Sequence, residues 1–371
     1  MSIVRGRLKP YALRMTDPWP SADGPIAVRS GWVIALEDEA GRVGLGDAAP
    51  WPGFGLESHA SAGSALRLAM ERVIGLPREA YAGAIAELPR LAPVAAAPAA
   101  RSAIDTAIHD LIAQEAGLPL ARYLGGRSAL TEVPANVAIP RVTPRRAAEL
   151  GAKAVASGAG TLKLKVGGVP LAEDRARIEA LRSGVGQDVK IRLDANGAWS
   201  EDEAIAALRS FAPLGIEYVE QPVPADALAA MARIRDEGSV RVAADEAVRG
   251  VRSAEAILYG GAADILILKP TVLGGLRVAR AVLNLAQEHG VPVVVTSLLE
   301  SAVGRTAALH FAASLGETPH AHGIATAGVL AEDIAEAPAI TGGRVRVLER
   351  PGLGVAPGEA FWRDASLMEA E

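Results

Sequence analysis

A chain of 371 residues, half of them hydrophobic, has material for about two domains and a large core. Its net charge of −5 and pI near 5.8 leave no basic footprint for nucleic acid or anionic lipid, and without cysteine it has neither a disulfide framework nor thiolate chemistry. The stretch from Met1 to Met15 is broken by Arg5, Arg7, Lys9, Pro10 and Arg14, and no apolar run approaches the roughly 18 residues that span a bilayer; the expectation is a soluble, cytoplasmic enzyme with no nucleic-acid or membrane partner.

Residues 2–50 read as antiparallel strands: Ser30–Leu36 is one run, Glu39–Arg42 a turn, and Val43–Ala48 the return. Pro18, Pro20, Gly24 and Pro25 mark a loop over Asp17–Ile26, and Ala49–Gly55 is a second irregular piece. Helices are predicted at about 57–74 and 98–117. In the second, Ile104, Ile108, Leu111 and Ile112 share one face, and Gly117-Leu118-Pro119 is its stop. Residues 1–125 therefore read as an α+β domain.

From about 126 the pattern changes to a beat. Short apolar runs end in charge at Lys163-Leu164-Lys165, Asp194, Glu220, Asp245 and Lys269, with steps of 31, 26, 25 and 24 residues counted from Lys163. A strand, a returning helix and two loops need about 30 residues, so each step is one βα unit and each charge marks a strand end. Repeated, this predicts an α/β barrel over 126–325 that starts near Val133–Ile139. Ser200 and Glu203 form a capping box for one of its helices. Val291–Val295 is a later strand, and His320–Gly323 a weaker candidate for the last. The remaining 326–371, with a hairpin arm at Gly342–Leu348, is expected to return to the first domain.

The C-terminal strand ends of such a barrel carry its chemistry. Asp194, Glu220 and Asp245 come from three successive ends; oxygen ligands with no cysteine and no paired histidine suit a hard cation such as Mg²⁺ rather than zinc. Lys163 and Lys165, two apart, leave their strand on one face. Two ammonium groups side by side near a metal depress the pKa of one, which makes a lysine base. Lys269, four strands on, approaches from the opposite side. Arg192 shares the inward face of Asp194, where it either binds a substrate anion or satisfies acids within the barrel. His320 and His322 fall close to the mouth, and the other four histidines read as structural or surface residues.

These motifs together, Leu162-Lys163-Leu164-Lys165, Leu193-Asp194-Ala195-Asn196-Gly197, Val219-Glu220-Gln221-Pro222, Ala244-Asp245-Glu246 and Leu268-Lys269-Pro270, resemble the enolase superfamily in its muconate lactonizing subgroup. The resemblance implies a modified (β/α)7β TIM-type barrel under an N-terminal α+β capping domain, with Mg²⁺ (or Mn²⁺) on Asp194, Glu220 and Asp245, and a small-molecule carboxylate substrate. A homo-oligomer is compatible with it. Thr296-Ser297 stands where mandelate racemase relatives carry a histidine. His322–Thr326 lacks the Asp-x-Asp usual in dipeptide epimerases. Gly44–Phe54 and Leu299–Gly304 are similar to o-succinylbenzoate synthases, although Asp47 replaces their usual glutamate.

That family implies a lyase of menaquinone biosynthesis, working by syn dehydration through an enediolate. Lys165 would be the base that also protonates the leaving hydroxyl, Lys269 the electrostatic partner and Lys163 the group tuning Lys165. Arg192, Asn196 and Ser297 are the candidate substrate contacts. The alternatives are racemisation of an N-acylamino acid or epimerisation of a dipeptide, then muconate cycloisomerisation.

Overall fold

The structure, a computed structural model, describes residues 2–19 and 24–370. Strands β1 (Ile3–Trp19), β2 (Ile26–Asp38) and β3 (Val43–Ala48) form an antiparallel meander. Side chains alternate across a strand, and β2 is buried on both faces. Val33 and Ala35 join the core shared with the barrel, whereas Ile34 and Leu36 pack under the domain's own helices. This explains the unbroken apolar run in its sequence. The expected loop over Asp17–Ile26 is paired at its ends, because Trp19 pairs with Ile26; Pro20 falls outside the described residues.

Helices His59–Val73 and Pro98–Glu115 cover the sheet. The second lies directly on β3 because Gly46 has no side chain: a Cβ there would sit 1.9 Å from the Ala103 carbonyl oxygen. A single-turn helix, Ala92–Ala95, occupies part of the alanine-rich stretch that precedes it.

Strand β4 (Glu132–Pro134) leads into the barrel, whose first strand is β5 (Val137–Ile139). The barrel continues through β6 (Thr161–Lys165), β7 (Lys190–Asp194), β8 (Ile216–Glu220), β9 (Val242–Ala244), β10 (Ile265–Leu268) and β11 (Val293–Val295). Strands β5 to β11 form one seven-stranded parallel sheet in sequence order. The eighth place is filled by two residues: His322 bridges to Ala135 and Gly323 to Thr296. The Asn136 amide donates to the His322 carbonyl at 2.9 Å, and the Ser297 amide to that of Gly323 at 3.0 Å. Tyr218, Ala243, Ile265, Ile267 and Val294 fill one side of the interior. The barrel closes as a modified (β/α)7β TIM-type fold beneath the N-terminal capping domain.

The tail divides. Strands β12 (Ile340–Thr341) and β13 (Arg344–Arg346) form a hairpin whose second arm pairs with β4, so it packs on the strand leading into the barrel rather than on the sheet of the first domain. The rest of the tail reaches the first domain at several points: Leu330 bridges to Met15 and Gly352 to Pro119, and β14 (Ser366–Glu369) pairs with β1 in the register Arg5 with Glu369. No helix among the described residues is long and apolar enough to cross a membrane.

The Gly46 contact gives a direct test of the capping-domain packing. Gly46→Ala must push the helix off β3, and overpacking of this kind costs about 1–3 kcal/mol. A urea melt should show that loss with an unchanged m-value; an unaltered midpoint would contradict the close approach.

Candidate active site

Lys163 and Lys165 lie on β6, Asp194 and Glu220 end β7 and β8, and Asp245 and Lys269 stand just past β9 and β10. Lateral register sets their height: Lys165 is beside Asp194, and Asp194 beside Glu220. The charges therefore meet. Lys163 Nζ lies 3.0 Å from Glu220 Oε1 and 3.2 Å from Asp194 Oδ2, and Lys269 Nζ pairs with Asp245 Oδ1. Lys165 Nζ donates to Asn196 Oδ1 at 2.5 Å, and Asn196 Nδ2 to Glu246 Oε1 at 2.9 Å.

Burial dominates the electrostatics. It pushes the Glu220 carboxyl up to about 8, with Asp194 and Asp245 adding to the rise and Lys163 opposing it. Glu246, next along, is pushed up to about 7 by burial and by Asp245 and Asp194. Burial also opposes ionisation of Asp194, but Lys163, Lys165 and Lys269 draw its carboxyl below the usual range. Burial disfavours charge on Lys163 too, yet Asp194, Glu220 and Asp245 together hold it well above an ordinary lysine. Lys163 is thus a fixed cation and not the lysine of depressed pKa that two adjacent ammonium groups would produce.

Several residues that hold this cluster were not singled out from sequence. Gln221 is fully buried; its Oε1 accepts from the Asp245 amide (3.0 Å) and the Ala247 amide (3.2 Å), locking the end of β8 to that of β9. It does so with φ +40°, and Asn196 has φ +45°, left-handed conformations that cost a non-glycine residue about 1 kcal/mol or more. Asn196 was already a candidate contact from its motif, whereas the only sequence signal for Gln221 is its place directly after a strand-end acid. Arg177 donates to the Lys165 carbonyl at 3.0 Å, and its partner Asp174 accepts from the Gly167 amide at 2.7 Å. Glu246 was visible merely as the neighbour of Asp245.

The capping domain supplies a roof. The Phe54 ring centroid lies 4.7 Å from Lys269 Nζ and 4.9 Å from the Arg249 guanidinium, which also donates to the Phe54 carbonyl at 2.5 Å. Past the ends of β11 and the eighth strand, the hydroxyls of Ser297 and Thr326 are 2.7 Å apart.

Arg192 is not brought to the mouth. It is fully buried below Asp194, with Nε 2.6 Å from Glu217 Oε2 and Nη1 2.6 Å from the Ala321 carbonyl. Two residues along a strand amount to about 6.6 Å, so the face is right and the height wrong for substrate. Of its two readings, satisfaction of a barrel acid is the one the geometry supports. His320 also lies deep, 2.9 Å from Glu217 Oε1. Although burial opposes it, His320 and Arg192 hold the Glu217 carboxyl down at about 2. His322 spends Nδ1 on the Val295 amide, and burial lowers it to about 3. Neither histidine is at the mouth.

Among the described residues no three acid or imidazole side chains are already gathered around a cation position; the carboxylates turn to the lysines instead. The donor set still suits a hard divalent cation. It is three buried carboxylates without sulfur or imidazole, and among the described residues Glu220 Oε2 is buried without a hydrogen-bond partner.

Residues 146–361 match the family model described as enolase C-terminal domain-like, and 12–125 match the mandelate racemase / muconate lactonizing enzyme N-terminal domain. The chain is 33% identical to an L-Ala-D/L-Glu epimerase of Bacillus subtilis over 85% of its length and 86% of the relative. It is 40% identical to the o-succinylbenzoate synthase of Thermobifida fusca, over 56% of this chain and 63% of that one. A dipeptide epimerase from Enterococcus faecalis, solved with Mg and the dipeptide L-Leu-L-Tyr, superposes with a TM-score of 0.90 at 28% identity, covering 96% of this chain and all of that one. With both domain models matched and the strand-end acids and lysines in place, the chain belongs to the enolase superfamily.

Proposed function

We propose that this enzyme forms o-succinylbenzoate by a Mg²⁺-dependent syn dehydration through an enediolate. The observation that carries this reading is the neutral wall at the ends of β11 and the eighth strand. Ser297 and Thr326 face each other there as hydroxyls, and the nearby acids are committed: Glu300 to Thr271 and the Leu298 amide, Asp333 to Arg305. A dipeptide brings a free α-ammonium, whose burial without a counter-ion is costly. A cyclohexadiene carboxylate brings none. The similarity to a synthase at 40% identity over 208 residues adds support.

Lys165 takes the α-proton onto Nζ and returns it to the hydroxyl that leaves on the same face, as water. Lys269, paired with Asp245 and roofed by Phe54, keeps positive charge against the other face of the enediolate. Lys163 stays charged between Asp194 and Glu220, beside the base on β6. Asn196 orients Lys165 through its Oδ1. Mg²⁺, when held by Asp194, Glu220 and Asp245, offsets the second negative charge that arises on the substrate carboxylate as the proton leaves. The Mg bound in the epimerase relative supports that ion for this site.

A second reading is racemisation of an N-acylamino acid. It is favoured by the two lysines facing the site from opposite sides and by the 33% identity to the Bacillus subtilis epimerase, and acylation removes the ammonium that the neutral wall would not accept. Incubation with the cyclohexadiene carboxylate precursor separates the two: an aromatic product is expected, and racemised acylamino acid without it would overturn the first reading.

Lys165→Ala should abolish exchange of the substrate α-proton with D₂O. Lys269→Arg keeps the charge but cannot give up a proton at neutral pH, so dehydration should persist at a reduced rate while any racemisation is lost; robust racemisation by that variant would contradict both roles. EDTA should remove activity, and Asp194→Asn, Glu220→Gln or Asp245→Asn should each lower kcat/KM by about 10²–10³-fold or more. Unchanged turnover in any one of them would show that the ligand set is wrong. The raised Glu220 pKa also has a signed consequence for the metal-free protein. Folding favours the protonated form, so the Glu220 contribution is fully present below the unfolded value and is lost as pH rises toward about 8. In EDTA, the Tm of Glu220→Gln relative to wild type should therefore climb between pH 5 and 8, and a flat difference would refute it.

A further inference from the structure

Arg141 lies two residues beyond Ile139, the last residue of β5, and is exposed on the rim next to the end of β6. As β6 leaves the barrel it turns through Gly167 and Gly168, at φ +82° and +69°. The Arg141 guanidinium rests on that turn: its Nη2 and Nη1 lie 3.4 and 3.5 Å from where a Cβ on Gly168 would be. The planar group thus lies against the backbone three residues past Lys165.

No carboxylate answers this cation. Among the described residues Arg141 makes no ion pair or hydrogen bond. Asp174, the acid that holds the turn after β6, is occupied by the Gly167 amide and by Arg177, and Arg177 itself reaches the Lys165 carbonyl. Arg141 is close enough to Arg177 for the two guanidinium groups to repel. On this side of the mouth Arg141 is thus a cation without a carboxylate partner among the described residues, whereas Lys165 stands beside Asp194, and Asp194, Glu220, Asp245 and Glu246 crowd together farther round the arc. An unpaired guanidinium fork has the geometry to receive a carboxylate by two parallel hydrogen bonds.

We infer that Arg141 binds a second, distal carboxylate of the substrate, so that the site selects dicarboxylates whose second acid hangs from the Lys165 side of the reacting carbon. The inference rests on Lys165 being the base of the proposed reaction, and a succinyl arm is the kind of substituent that would reach the rim. Arg141 is then a specificity residue that acts on binding and leaves the proton transfers alone.

Two arms test it. In kinetics, the succinyl-bearing precursor is compared with its distal monoamide for wild type, Arg141→Gln and Arg141→Lys. Arg141→Gln should raise KM for the dicarboxylate by about ten- to hundredfold with kcat little changed, should leave KM for the monoamide unaltered, and should be partly rescued by Arg141→Lys. In calorimetry, which needs no turnover, o-succinylbenzoate should bind wild type more tightly than its distal monoamide, and Arg141→Gln should erase the difference. Equal KM changes for both substrates, or binding that ignores the distal charge, would overturn the role of Arg141. Loss of dehydration in wild type with the calorimetric preference intact would sink the dehydratase reading and leave this one standing.

Discussion

Glu220 is a carboxylate almost out of reach of water, with one oxygen on Lys163 and the other without a hydrogen-bond partner among the described residues. A carboxyl buried in this way takes on charge only where others compensate it, and the barrel supplies such groups from both sides. Lys163 comes from two strands back, Asp194 lies alongside, and Gln221 ties the end of β8 to that of β9. Removing any member leaves an uncompensated charge in a dry place. The arc from β6 to β10 therefore behaves as a single electrostatic object, and the left-handed backbone at Asn196 and Gln221 is retained because those side chains hold it together.

The same arc was the most legible part of the sequence. Strand ends recur because a βα unit has a nearly constant length, and the period of two places Lys163, Lys165 and Asp194 on one face. What parity cannot report is height. Arg192 and Asp194 have equal claim to the interior by periodicity, yet one caps a buried acid while the other faces the mouth. Loops have no period at all, so Gln221, Glu246 and Thr326 were visible only as neighbours of something else. The eighth strand was faint for a simple reason: two residues carry its pairing, too few for any alternation to register.

In the capping domain, chemistry that looks local in sequence turns out to be shared. Asp47 accepts from Tyr11 of its own sheet and, across the interface, from the amide and hydroxyl of Ser301. Burial pushes its carboxyl up to about 6 even with those donors, and nearby Glu300 adds to the rise. Glu300 in turn holds Thr271 and the Leu298 amide, the segments that follow Lys269 and Ser297. The roof over the site and one wall of it are thus oriented through adjacent buried carboxylates.

The closure at His322 and Gly323 divides the barrel unequally. Where a full strand would lend several carbonyls, this seam offers a handful of backbone bonds, and the Val295 amide turns to an imidazole nitrogen instead of a neighbouring chain. Few bonds mean few constraints on which residues can stand there. Substitutions along Ser297 and Thr326 can reshape what the mouth admits without disturbing the ladder that aligns the acids and lysines opposite. A lineage built this way can drift in substrate while its proton chemistry stays still.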